Sequence, residues 1–324
     1  MANATVSRIG SVNNAVANKA EIEALFLKLY AGEVITMFEQ KCVAFDKVMK
    51  RPITAGKSAQ FPVLGAVGAA YHTPGVEITG RVIKGAERVI TIDGVLLSDV
   101  FVAEIDELMS HFEVRGPYAA EQGRKLAYQY DEDVFCELVL AARGSAVNQD
   151  HSGGTIIADA DLGSATLTTK AEALGKALYA AAQAMDEKDV PEEGRYAAFK
   201  PAEYYTIVQA VQSNGFSALH KDYGGVGSYS DGRVTSVAGI TILKSNRVPS
   251  TDLSGKTYHG VNANTTKGIV WVPDAVGVVE LMGVSTEFGW DIRRQGTLLI
   301  AKMAVGMGTL RPECAVELRT GAPA

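Results

Sequence analysis

Pro117–Gly144 reads PYAAEQGRKLAYQYDEDVFCELVLAARG. Within it Tyr118, Leu126, Tyr130, Val134 and Leu138 recur at intervals of four or eight, and Gln122 fills the gap. That spacing puts them on one face of an α-helix. Pro117 suits the first turn, where its missing N–H costs nothing, and Gly144 suits a C-terminal stop. The stripe runs for about 25 residues, or ~38 Å at 1.5 Å per residue. A long helix with one narrow stripe predicts a structural beam buried on one side only. The helical assignment extends over residues 104–143.

Upstream, residues 50–103 change character. Prolines and glycines, from Pro52 and Gly56 to Gly85 and Gly94, punctuate short β-branched runs. The best run is Arg88–Ile92, ended by the turn signal Asp93-Gly94. The region is too thin in large side chains for a core of its own. A long β-hairpin that projects and packs on something else fits it best. Before it, Ile22, Leu25, Phe26 and Leu29 make the apolar stripe of a helix starting near Ala20. Gly32 interrupts that pattern, and Val34, Met37 and Phe38 point in a rotated direction. This predicts a kink or two short helices. Residues 1–19, rich in Ala, Asn, Ser and Val, read as an arm ordered only when a neighbour holds it.

Downstream, residues 145–170 read as a polar connector. Helices are expected over 171–187 and over 201–212, the second opening on Pro201. A strand is expected over Arg195–Phe199. Further strands are expected over Val234–Val237, Ile240–Leu243, Ile269–Val272, Val276–Leu281 and Leu298–Val305. No fixed-period repeat is visible, which argues against solenoids and propellers. The fold class is α+β, with helices and strands largely segregated.

Composition narrows the function. The chain has 324 residues, 47% hydrophobic and 21% charged, with a formal net charge of −6. Sequence-independent DNA binding needs clustered Lys and Arg, so a surface facing other proteins fits better. Cys42, Cys136 and Cys314 form no zinc spacing and read as free thiols of a chain made in a reducing cytoplasm. No stretch approaches the ~18 uncharged apolar residues a membrane span needs, and the first twenty residues lack the apolar core of a signal peptide.

Fragments that hint at chemistry lack their context. Gly56-Lys57-Ser58 ends like a phosphate-binding loop, but Arg51 stands where the first glycine belongs. Gly224-Gly225-Val226-Gly227 is not followed by a helix. Asp131-Glu132-Asp133 cannot converge on one ion, because adjacent helical residues do not share a face; a solvated or neighbour-facing patch is expected. His72, His111, His151, His220 and His259 form no i, i+4 pair and read as surface or loop residues. His220 beside Asp222 has no flanking nucleophile motif. No catalytic, cofactor-binding or metal-binding residue is assigned, and no enzymatic activity is expected. An arm, a projecting hairpin and a one-sided beam would each leave a monomer with unburied surface, as in subunits of obligate assemblies.

The sequence also resembles a known family. Ala24–Lys28, Gly32-Glu33-Val34, Gly56–Gly65 (GKSAQFPVLG), Val89–Gly94 (VITIDG) and Val114-Arg115 are similar to the major capsid proteins of T-seven-like short-tailed bacteriophages (podoviruses or autographiviruses). Val190–Arg195, Pro201, Tyr204-Tyr205, Val237–Ile240, Val248-Pro249 and Gly308–Glu313 agree more weakly. The resemblance implies the Hong Kong 97 capsid fold. In that frame residues 1–49 are the N-terminal arm and residues 50–103 the extended loop over an adjacent subunit. Residues 104–147 and 272–324 form the peripheral domain with its spine helix, and 148–271 the axial domain. The implied function is a subunit that self-assembles into hexamers and pentamers of an icosahedral head enclosing double-stranded DNA. Implied partners are scaffolding protein, a portal at one vertex and DNA touched without sequence specificity, with assembly in the host cytoplasm. Some members of the fold use a Lys–Asn isopeptide bond; Lys57 lies in the matching loop, but no Asn or Glu partner is assigned. An encapsulin-like compartment shell is the alternative, and a soluble enzyme the third reading.

Overall fold

The first helix shows why a glycine need not end a helix. In the computed structural model, α1 (Lys19–Lys41) runs unbroken through Gly32. Its backbone carbonyl there accepts the Thr36 hydroxyl at 2.8 Å. The face that packs is Tyr30, Val34 and Phe38, one residue every turn, whereas Leu29 of the expected stripe is exposed. The expected division into two short helices is therefore absent: an isolated glycine weakens a helix by ~1 kcal/mol, which tertiary packing of this face outweighs. The structure describes residues 19–65, 67–75, 77–78, 80–83, 85–103, 115–148, 150–209, 227–228, 233–234 and 236–321. The expected arm over 1–18, residues 104–114 of the expected helix and 210–212 lie outside them.

The remaining elements, in chain order, are β1 (Met49–Pro52), β2 (Ser58–Leu64), β3 (Gly85–Thr91), β4 (Val95–Ala103), α2 (Arg115–Ala142) and β5 (Thr155–Ala158). Then come α3 (Leu167–Asp186), β6 (Tyr196–Phe199), α4 (Pro201–Gln209), β7 (Gly227–Ser228), β8 (Arg233–Val234), β9 (Ser236–Val237) and β10 (Ile240–Lys244). The chain closes with β11 (Thr266–Trp271), β12 (Val276–Asp291), β13 (Gly296–Thr309) and β14 (Ala315–Arg319). They form two compact units. The first holds α1 with residues 94–130 and 282–305; the second holds residues 43–93, 131–281 and 306–324. The beam helix α2 gives its N-terminal half to one and its C-terminal half to the other.

In the first unit, β4 pairs antiparallel with β13 from Gly296↔Ala103 to Ala304↔Val95. Gln122 explains the gap in the helical stripe. It is buried; its amide nitrogen donates to the Ser98 and Leu299 carbonyls at 3.2 and 3.1 Å, and its oxygen accepts the Tyr30 hydroxyl at 2.5 Å. Burial, aided by Glu33, pushes the Tyr30 phenol up to about 12. Gly123 sits where a Cβ would strike the Val34 carbonyl and lie 3.2 Å from Met37 Cβ, so its absence lets α1 and α2 touch backbone to backbone. Phe38 meets Tyr130 edge-on at 5.9 Å.

In the second unit a six-stranded mixed sheet runs β5-β14-β11-β6-β10-β9. β14 lies parallel to β5 and antiparallel to β11, while β6 lies antiparallel to β11 and parallel to β10. β7 and β8 form a separate short pair. Helix α3 buries Ala171, Leu174, Leu178, Ala181 and Met185 at helical spacing. Trp271 is fully buried, meets Phe135 edge-on at 5.9 Å, and donates its indole N–H to the Lys47 carbonyl at 2.9 Å. From Val134 to Val139 every residue of α2 is buried. The beam is thus wrapped on all sides over its last turns, which corrects the expectation of burial on one side only. The strands not foreseen include β5 inside the supposed connector, the two-residue β7, and β14 at the C-terminal end. β12 and β13 also extend well beyond their expected cores.

Asp131 corrects the solvated-patch reading of Asp131-Glu132-Asp133. It is 1% exposed and accepts the amide N–H of Val43 at 2.9 Å and of Ala44 at 3.0 Å. Those donors belong to the chain just beyond the end of α1, where the backbone has left the helix and its N–H groups need partners from elsewhere. We expect Asp131→Ala to lower stability by about 2–3 kcal/mol, since hydrogen bonds to a charged acceptor are worth ~1.5–3 kcal/mol. Urea unfolding of the unassembled subunit measures it; a loss below ~0.5 kcal/mol would show the turn to be held by other means.

Candidate assembly surface

The hairpin expected from residues 50–103 is narrower than that span. β2 and β3 pair antiparallel from Ser58↔Thr91 to Leu64↔Gly85, whereas β4 joins β13 instead. Alternation gives the hairpin one packed face. Ala59, Phe61 and Ile90 turn inward onto Val279 and Leu310, flanked by Ile53 and Ile92. Two glycines admit this approach: a Cβ on Gly306 would strike the Thr91 carbonyl, and one on Gly308 would lie 2.9 Å from Ile90 Cγ1.

Polar contacts fix the same root. Arg51 donates to the Gln60 carbonyl at 2.7 Å while its guanidinium lies over the Phe61 ring. The Ile92 N–H donates to the Lys57 carbonyl at 2.8 Å. His151 donates from Nε2 to the Leu64 carbonyl at 2.9 Å, and its Nδ1 lies 3.1 Å from Glu313 Oε1. A cleft of about 650 Å³ opens here, lined by Met49, Phe61, Val63, His151, Leu310 and Arg311 among others.

Beyond the root, the described residues between 65 and 84 form no strand, and the large apolar side chains described there are bare. Val67, Tyr71, Ile78, Val82 and Ile83 are exposed, Ile78 to 77% and Val82 to 93%. A cluster of large apolar groups at the far end of a pinned hairpin marks a contact surface.

The sequence fragments with a chemical flavour fall elsewhere. Gly56 adopts φ 110° in the turn entering β2, and Lys57 is exposed beside it. Gly227 opens β7; residues 224–226, His111, His220 and Asp222 lie outside the described residues. His72 is exposed. Among the described residues no group of three or more His, Cys, Asp or Glu is placed to hold a metal ion. Cys136 and Cys314 are buried, and burial pushes their thiols up to about 12 and about 11.

His259 departs from the surface reading. Its side chain is buried, with Nε2 2.8 Å from Asp93 Oδ2 and Nδ1 3.0 Å from Glu137 Oε2. Burial alone would lower its pKa, but the hydrogen bonds and charges of Asp93 and Glu137 lift it to about 9. For Glu137 burial acts upward, and is outweighed by His259 and by the Thr309 hydroxyl donating at 2.9 Å, so its carboxyl sits below the usual value. Three residues earlier in the same loop, Lys256 reaches Asp133 at 2.5 Å and Glu132 at 3.0 Å. A lone histidine in a loop gives no sequence signal for such a network, because its partners lie 122 and 166 residues away.

Residues 60–319 match the family model described as Gp10A-like, major capsid protein. The chain belongs to this family. It is 34% identical over 318 residues to the major capsid protein of Escherichia phage T7, covering 90% of each chain. It is 32% identical over 338 residues to that of Enterobacteria phage T3, covering 95% of each. The capsid structure of the cyanophage P-SCSP1u shares 40% identity with a TM-score of 0.76, covering 98% of this chain and 99% of that one. The mixed helix-and-strand architecture is that of phage capsid subunits. This major capsid protein is a structural component of the virus particle, and copies of it build the shell.

Proposed function

We propose that this capsid protein adopts the Hong Kong 97 arrangement and closes an icosahedral head from rings of six and five copies. In this reading residues 1–49 are the arm and 50–103 the extended loop. Residues 104–147 with 272–324 are the peripheral domain, and 148–271 the axial domain. Scaffolding protein sets curvature in the host cytoplasm, a portal replaces one ring, and double-stranded DNA fills the interior. The subunit catalyses nothing.

The observation that carries this is the bare apolar end of a firmly rooted hairpin. The root already has its packing partners; Val67, Tyr71, Ile78, Val82 and Ile83 are left exposed, and identical neighbouring copies supply theirs. Many such contacts, each modest, hold a shell together through avidity. A net charge of −6 suits an inner wall that confines DNA without gripping its phosphates. An encapsulin-like compartment shares the shell geometry, but identity of 32–40% to phage capsid proteins favours the phage head.

The full-length chain co-expressed with its scaffolding protein, followed by sedimentation and electron microscopy, tests the reading. Closed particles of uniform size are expected. Monomers or small oligomers under all conditions would overturn it.

A further inference from the structure

We propose that Asp93, His259 and Glu137 form a proton-dependent latch that pins the root of the β2–β3 hairpin to the C-terminal half of α2. Asp93 directly follows the hairpin, Glu137 projects from the helix, and the His259 ring bridges them with one nitrogen on each carboxylate. The bridging residue is held in an unusual backbone state. His259 adopts φ 53°, in the left-handed region that a side chain rarely occupies without compensation. Gly260 follows, and a Cβ there would lie 2.9 Å from the Ser254 carbonyl. The loop is closed on itself by Leu253 N–H to Val261 carbonyl at 2.9 Å and Ala263 N–H to Thr251 carbonyl at 3.1 Å.

The latch is the middle contact of a strap. Along α2 the same loop grips Glu132 and Asp133 through Lys256, then Glu137 through His259, and the Asn262 carbonyl accepts Arg143 at 2.7 Å. The titratable groups that face the ring are Asp93 from the hairpin side and Glu137 from α2, while Lys256 of the same loop takes up Glu132 and Asp133 one turn earlier on the helix. Thr309 completes the pocket at the end of β13. With one imidazolium between two carboxylates each ring nitrogen donates to a carboxylate, and the buried cluster carries one net negative charge instead of two. With a neutral ring, one nitrogen has no proton to donate, and a carboxylate is left facing a lone pair.

The sign of the pH response follows. A histidine raised from 6.5 to about 9 contributes stability that is full below about pH 6.5 and is lost as pH rises through about 9. A carboxyl lowered below 4.5 contributes stability that is full above that value and is lost as pH falls through its folded pKa. The latch is therefore firmest in the window between them and releases on both sides. Cys136 and Cys314, pushed up to about 12 and about 11, stay protonated through the alkaline release.

The test is amide hydrogen exchange of the unassembled full-length chain, corrected for intrinsic exchange rates, so it does not depend on shell formation. Peptides spanning residues 85–93 report on the root through β3 and the Ile92 amide. Their protection in the wild type is expected to fall at least ~10-fold between about pH 7 and about pH 10, with a midpoint near 9. His259→Gln is expected to start at the lower protection and show no step. Asp93→Asn, which keeps the side chain's size, is expected to move the step to lower pH. A flat wild-type profile would overturn the latch whether or not either variant folds. So would an unchanged step in His259→Gln or an unmoved midpoint in Asp93→Asn.

Discussion

Replacing residues 65–84 with an Asn-Gly turn is expected to abolish shell formation while leaving the subunit folded. Leu64 and Gly85 stand opposite each other in the hairpin, so a two-residue turn of this type closes the ladder without shifting its register. The inward face of Ala59, Phe61 and Ile90 keeps its packing on Val279 and Leu310. What disappears is Val67, Tyr71, Ile78, Val82 and Ile83. Burying a large apolar side chain is worth ~1.5–3 kcal/mol, so each neighbour contact loses several kcal/mol even after ordering costs. Summed around a closed shell, that is decisive. Circular dichroism and urea unfolding verify the fold, and sedimentation with electron microscopy reads assembly. Normal closed shells from this variant would show that the hairpin end is not the principal contact.

Arg143→Met is expected to cost about 3–5 kcal/mol of subunit stability, the range for stranding one member of a buried ion pair. Glu317 is completely buried in β14, an interior strand of the six-stranded sheet. It is held by two Arg143 nitrogens, Nε at 2.7 Å and Nη2 at 2.6 Å, and by the Thr266 hydroxyl at 2.5 Å. Removing the guanidinium leaves a charge with no water and no counterion. The control is Arg143→Met with Glu317→Leu, which removes both charges and should recover most of the loss. If the single variant unfolds at the same urea concentration as the wild type, the pair carries no net stability.

Glu317 also shows where the sequence falls silent. AVELR has too few residues to display a period, and a glutamate in its middle argues against an interior strand. The strand exists because Arg143, 174 residues earlier, neutralises that charge, and nothing local announces it. β5 was hidden in the same way: Thr155–Ala158 is four residues long, and its pairing with β14 supplies what its own pattern lacks. Gly32 misled in the other direction, since a single glycine was read as a break in a helix that one continuous packed face keeps whole.

Long local patterns were legible. The α2 stripe from Leu126 to Leu138, the Arg88–Ile92 run with its Asp93-Gly94 stop, and Pro201 at the head of α4 each carry their signal within one element. For the assembly surface, the hairpin was legible because Gly, Pro and β-branched residues alternate there. The sequence could not show that the root is pinned, because Leu310, Val279, His151 and His259 come from distant parts of the chain. The acidic run 131–133 is the sharpest contrast. Its charge suggested solvent, yet Asp131 is consumed by two amides and its neighbours by Lys256.

The most direct measurement is a near-atomic electron cryo-microscopy reconstruction of closed shells, read at Val67, Tyr71, Ile78 and Val82. These side chains, bare in the single chain, are expected to be buried against another copy of the same protein. Closed shells in which they still face solvent would contradict this.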